Sequence, residues 1–102
     1  RTTLFYFTVK EGNEQEAQDL LPRMAAVSRA EPGCIAYVFY QDRISPPDFV
    51  LLEQWRDGAI QMHFSNLQEV FGPPLPGSPS PLPAVFMDLC DSMRSGGYRL
   101  FA

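Results

Sequence analysis

Hydrophobic positions along the chain change period several times, and each change marks an element. Leu4-Phe5-Tyr6-Phe7-Thr8-Val9 is an aromatic and β-branched run, which predicts a strand. Glu11-Gly12-Asn13 breaks it. Asn13 stands where a helix N-cap belongs and Glu16 follows three residues later, the spacing of a capping box. Ala17, Leu20, Leu21, Met24 and Val27 then recur at intervals of three and four, one stripe of an amphipathic helix that continues through Pro22. Glu31-Pro32-Gly33 stops that helix. Cys34 to Gln41 predicts a second strand, with Ile35, Tyr37 and Phe39 on one face and Ala36, Val38 and Tyr40 on the other. After a turn at Ile44–Asp48, Phe49 to Arg56 forms a third, with Glu53 and Trp55 on one side and Val50, Leu52 and Gln54 opposite. The short connection implies an antiparallel hairpin. Asp57 is placed to cap a second helix whose inner stripe is Ile60, His63, Phe64, Leu67 and Phe71.

Gly72 to Pro83 holds six prolines and no charge, so it is neither helix nor central strand. It is read as a stiff loop insert, either a surface linker or a lid that hides Leu75 and Leu82. Val85, Phe86, Leu89, Cys90 and Met93 suggest a short third helix. Ser95-Gly96-Gly97 ends it, and Tyr98–Phe101 forms a last strand. The order β-α-β-β-α-(α)-β over residues 1–102 predicts one α+β domain. Its expected form is a ferredoxin-like split β-α-β with a four-stranded antiparallel sheet and helices on one face. Val38, Tyr40, Val50 and Leu52 would then face water, a patch that predicts a homodimer with sheets packed face to face.

Composition narrows the function classes. Twelve acidic against eight basic residues give a net charge of −4, and Lys10 is the only lysine. No basic run offers a footprint for nucleic acid or an anionic membrane, and no apolar stretch approaches the roughly 18 residues of a membrane span. Cys34 and Cys90 are expected as buried free thiols, and His63 is the only histidine, so no metal site is expected. With no leader visible before the first strand, the cytoplasm is the expected location.

The runs Ser28–Tyr37 (with Glu31-Pro32-Gly33-Cys34) and Phe49–Trp55, followed by Ala59 and His63, resemble the antibiotic biosynthesis monooxygenase domain family. The likeness runs over residues 1–71 and returns at Tyr98–Phe101. It implies a dimeric α+β barrel with a cleft between sheet and helices in each subunit. Members include cofactor-independent oxygenases of quinols and phenols; others degrade haem, isomerise small metabolites or have no established reaction. The interval Trp55–His63 is one residue shorter than usual, and a second histidine is replaced near Asn66–Gln68. Phe5, Tyr6 and Phe7 stand where the haem-degrading branch has an Asn, which disfavours haem.

Glu53 and Trp55 point the same way along their strand, and the helical stripe brings His63 toward them. Tyr37 and Phe39 face them from the neighbouring strand, and Phe7 and Phe64 extend the aromatic wall. Such a cleft suits a flat phenolic or apolar substrate. His63 is the candidate base and Glu53 its candidate orienting carboxylate; Trp55, Tyr37, Phe39, Phe7 and Phe64 are candidate substrate-binding residues. Each also has a plainer reading. His63 could be a hydrogen-bonded core histidine, Trp55 a packing residue, and Glu53 the partner of Arg29 or Arg99. The activity expected is monooxygenation of a small phenolic or quinol-type metabolite with no cofactor. A non-catalytic dimeric module binding an apolar small molecule and a cofactor-free isomerase are the alternatives.

Overall fold

The computed structural model describes all residues from Arg1 to Ala102. In chain order the elements are β1 (Thr2–Val9), α1 (Glu14–Arg29), β2 (Cys34–Gln41), β3 (Asp48–Trp55), α2 (Ala59–Phe71), α3 (Ala84–Leu89) and β4 (Cys90–Tyr98). The strands form one antiparallel sheet in the order β2-β3-β1-β4. The α+β split β-α-β expectation therefore holds.

The period-two pattern sorts the two faces. Phe7, Val9, Tyr37, Leu51, Glu53 and Trp55 are buried beneath the helices. They meet Ala17, Leu20, Leu21, Met24 and Ala25 of α1, Ile60 and Leu67 of α2, and Phe86 and Leu89 of α3. Phe7 stacks on Phe49 at 5.4 Å and meets the edge of Phe86 at 5.2 Å, geometries that suit the aromatic quadrupole. Leu4, Tyr6, Val38, Val50 and Leu52 belong to the opposite layer, cross-paired along β1, β2 and β3 and half-buried at most, with Tyr40 54% exposed beside them. No helix covers that layer. Arg94 lies over the Tyr6 ring at 4.1 Å. No helix is long and apolar enough to cross a membrane.

Four local expectations are corrected. Asn13 sits at the N-cap of α1, but its side chain makes no capping bond; the Glu14 carboxylate instead accepts the Gly12 N–H at 3.2 Å. Asp57 does not cap α2. Gly58 holds that position at φ +79°, a left-handed conformation that a β-carbon disfavours. The third helix stops at Leu89, and the last strand runs from Cys90 to Tyr98, not from Tyr98 to Phe101; Leu100 and Phe101 are exposed beyond it. Ser95, Gly96 and Gly97 pair with Phe5, Leu4 and Thr3 of β1. The open backbone groups of β1 take this partner, and pairing outweighs the poor strand propensity of glycine. Finally, Cys34 is only half-buried, although both cysteines are free thiols.

The proline-rich segment, read as a stiff surface linker or a lid, is tied to its surroundings. Pro74 and Pro83 form a β-bridge, Ala84 N–H donates to Pro73 O at 2.9 Å, and Gln68 Nε2 donates to Pro81 O at 2.7 Å. Its returning arm lays Leu82 against the core.

Candidate functional site

Three elements converge at one end of the sheet. Tyr37 on β2 is the cross-strand neighbour of Glu53 on β3, so their side chains share the helix-covered face with Trp55. One turn into α2, His63 enters the same space and is 1% exposed. Its ring lies 4.2 Å from that of Trp55, 5.3 Å from Tyr37 and 5.7 Å from Phe64, centroid to centroid. Tyr37 in turn meets Phe39 edge-on at 5.5 Å. The predicted gathering of His63, Trp55, Tyr37, Phe39, Phe64 and Glu53 is therefore present. Phe7 stands apart, in the core between Phe39, Phe49 and Phe86.

The carboxylate partner differs from the expected one. Glu53 Oε1 accepts the Trp55 indole N–H at 2.7 Å, and neither Arg29 nor Arg99 pairs with it. His63 Nδ1 is bonded instead to Glu31 Oε2 at 2.8 Å. An ionised carboxylate only accepts, so Nδ1 carries the proton in the neutral ring and Nε2 is left bare. In the sequence Glu31 belongs to a helix stop and to the run that carries the family resemblance, and neither marks it as a partner of His63. Nothing in local spacing links it to a residue 32 positions away. What brings them together is the sharp exit from α1, with Cys34 N–H bonded to Glu31 O and Arg56 N–H to Gly33 O. A β-carbon at Gly33 would overlap the Ala59 methyl at the start of α2. Glycine thus lets the Glu31 loop press against the helix that carries His63.

Burial, and then the nearby Glu53 carboxylate, hold the Tyr37 hydroxyl far above the ordinary phenol range, so it remains protonated. Beside it the Ser28 hydroxyl is wholly buried and lacks a partner in hydrogen-bond geometry. Burial also raises both thiols, helped at Cys34 by Glu31, and pushes Cys90 up to about 12. Neither cysteine is a thiolate nucleophile at neutral pH. No cluster of three or more His, Cys, Asp or Glu side chains is arranged to hold a metal ion.

His63, Glu53, Tyr37, Phe39, Phe86 and Leu82 enclose a cavity of about 20 Å³. That is room for about one water and not for an aromatic ring. Leu82 closes it from the proline-rich loop. A cleft of about 670 Å³ opens between α1 and α2, where Glu31 and Trp55 reach its wall. A groove of about 420 Å³ lies between α1 and the β2–β3 hairpin.

A family profile described as "Antibiotic biosynthesis monooxygenase" matches residues 2–70. An uncharacterized protein of Synechocystis is 39% identical over 59 residues, covering 57% of this chain and 40% of that protein. The match thus spans less than half the length of that relative. Among solved structures, a Pseudomonas aeruginosa protein is 27% identical with a TM-score of 0.72, covering 98% of this chain and 93% of that one. A conserved Methanosarcina mazei protein superposes with a TM-score of 0.75 at 22% identity, covering 96% and 89%. A structure described as an antibiotic biosynthesis monooxygenase gives 0.74 at 16% identity, covering 99% and 98%. At such identities the last two speak for the fold alone.

Proposed function

The chain belongs to the antibiotic biosynthesis monooxygenase family, and on that premise we propose that it oxygenates a small phenolic or quinol-type metabolite without a cofactor. One observation carries the reading: a buried histidine, bonded through Nδ1 to Glu31 at 2.8 Å, lines an aromatic-walled cavity. In the proposed reaction His63 Nε2 takes the phenolic proton. The phenolate passes one electron to O₂, and the substrate radical and superoxide combine at a ring carbon. The resulting hydroperoxide loses water to leave a quinone, so one oxygen atom enters the product and the other leaves as water. Tyr37, Phe39 and Phe86 would hold the ring; Trp55 and Phe64 do not line the cavity and would brace the His63 imidazole from outside it, with Glu53 fixing the Trp55 indole. The closed cavity has no space for the substrate, so entry would require Leu82 to give way and the Gln68–Pro81 bond and Pro74–Pro83 bridge that hold its segment to open. Tyr37 keeps its proton and serves as a donor to the developing anion.

The same proposal includes a homodimer formed through the uncovered face around Val38, Tyr40, Val50 and Leu52. Two free thiols agree with a reducing cytoplasm. The small size of the closed cavity favours one second reading, a binding module that takes its apolar ligand in the cleft between α1 and α2. Oxygen uptake with a panel of hydroquinones and anthrones separates the two. In the catalytic reading His63→Ala lowers turnover by roughly 10²–10⁴-fold while the fold persists. Full turnover per folded molecule would remove His63 from the mechanism, and ligand binding without oxygen uptake would support the module.

A further inference from the structure

We propose that the groove between α1 and the β2–β3 hairpin is a second binding site, built for a one- or two-ring aromatic carboxylate and independent of the chemistry assigned to His63. Its volume of about 420 Å³ lies within the roughly 300–1,000 Å³ of small-molecule pockets. The space arises from residue size. Ala17 and Ala25 put small side chains on the helix wall, while Phe39 and Phe49 supply flat rings on the sheet side. A planar apolar body between these walls meets small aliphatic groups on one side and aromatic rings on the other, while the charged groups that line the groove are Arg29 and Glu14.

The charge that selects the ligand stands at one end. Arg29, in the last turn of α1, lines the groove. Its Nε donates to the Tyr37 carbonyl at 2.8 Å, which fixes the plane of the guanidinium. The two terminal nitrogens have no protein partner, and no carboxylate lies within ion-pair distance of them. An exposed guanidinium held by one nitrogen, with its other two free where it lines the groove, matches the planar fork of a carboxylate. Glu14 lines the opposite end and repels an anion there, so the ligand is oriented with its carboxylate at Arg29. Phe39 also walls the His63 cavity, so a ligand in the groove would rest on the reverse side of that wall without entering the cavity.

The test titrates the full chain with 2-naphthoate and with its neutral isostere 2-naphthamide, by calorimetry and by amide chemical shifts. The acid is expected to bind and to move the amides of Ala25, Arg29 and Phe39. The amide should bind about tenfold more weakly, the worth of a charge-assisted hydrogen-bonded pair. Arg29→Gln should remove that preference, and Gln18→Trp, a change at an exposed position on the groove wall, should abolish binding. His63→Ala should bind the acid as the unaltered chain does; this separates the groove from the oxygenase reading, since either can fail alone. Comparing acid with amide on the unaltered chain keeps the test valid even if Arg29→Gln unfolds. No binding at millimolar acid, equal affinity for acid and amide, or shifts centred on His63 and Leu82 would each overturn the proposal. So would groove amides that move on dilution without ligand, which would show a second copy of the chain seated there.

Discussion

Replacing Glu31 by Gln changes one oxygen to nitrogen and leaves shape almost intact, so it isolates the charge on the carboxylate that holds His63. The pair is well shielded, with side chains 1% and 11% exposed, so water screens it little. A hydrogen bond to a charged group contributes about 1.5–3 kcal/mol and a neutral one about 0.5–1.5, so the substitution should cost about 1 kcal/mol. For a domain of this length that corresponds to a fall in Tm of about 4–8 °C. Two further readouts follow from the same geometry. In the native protein ¹⁵N spectra of the imidazole should show the proton on Nδ1 and a bare Nε2; in Glu31→Gln the amide can either accept or donate, and the two tautomers should mix. If His63 is the base, the imidazolium formed during turnover loses a compensating charge, and about 1.4 kcal/mol of lost stabilisation slows turnover about tenfold. A variant with unchanged Tm and an unchanged single tautomer would refute the claim that Glu31 positions His63.

Two other perturbations address separate parts of the molecule. Leu52→Asp places a charge in the uncovered layer of the sheet; sedimentation should show two chains in the native protein and one in the variant, whereas a native mass of one chain would dismiss the dimer. Because folding raises Cys90 to about 12, the unfolded chain releases that proton first on the way up in pH, and stability should fall between about pH 9 and pH 12. Cys90→Ala should flatten the part of this alkaline slope due to the thiol, leaving that due to Tyr37; an identical slope in chemical denaturation would contradict the assignment.

The periodicities that mark β1, α1, β2, β3 and α2 are strong, and the structure follows them closely. The split β-α-β arrangement is therefore legible in the sequence. The final strand is not. Gly96 and Gly97 read as a break because intrinsic propensity is local, whereas their pairing with Leu4 and Thr3 is decided by the other end of the chain. The same limit applies at the site. Glu53 and Trp55 announce a shared face by their spacing of two, and His63 announces the inner stripe of α2. The bond from Glu31 to His63 depends on how tightly one loop packs against a helix, a matter of the single missing β-carbon at Gly33. The small volume of the closed cavity was equally hidden, since it depends on where Leu82 and Phe86 come to rest.

The sheet order also bears on how the molecule is made. β1 lies inside the sheet, between β3 and β4, and Thr2 pairs with Tyr98. During synthesis β1 emerges before both of its neighbours, and the edge that pairs with β4 stays open until Cys90–Tyr98 has followed. The β2–β3 hairpin can close early from neighbouring residues, while the strand that completes the sheet must be recruited across the longest loop in the fold. High sequence separation of this kind slows folding. It also leaves the aromatic edge Phe5-Tyr6-Phe7 available to other nascent chains in the interval, the form of exposure that chaperones recognise.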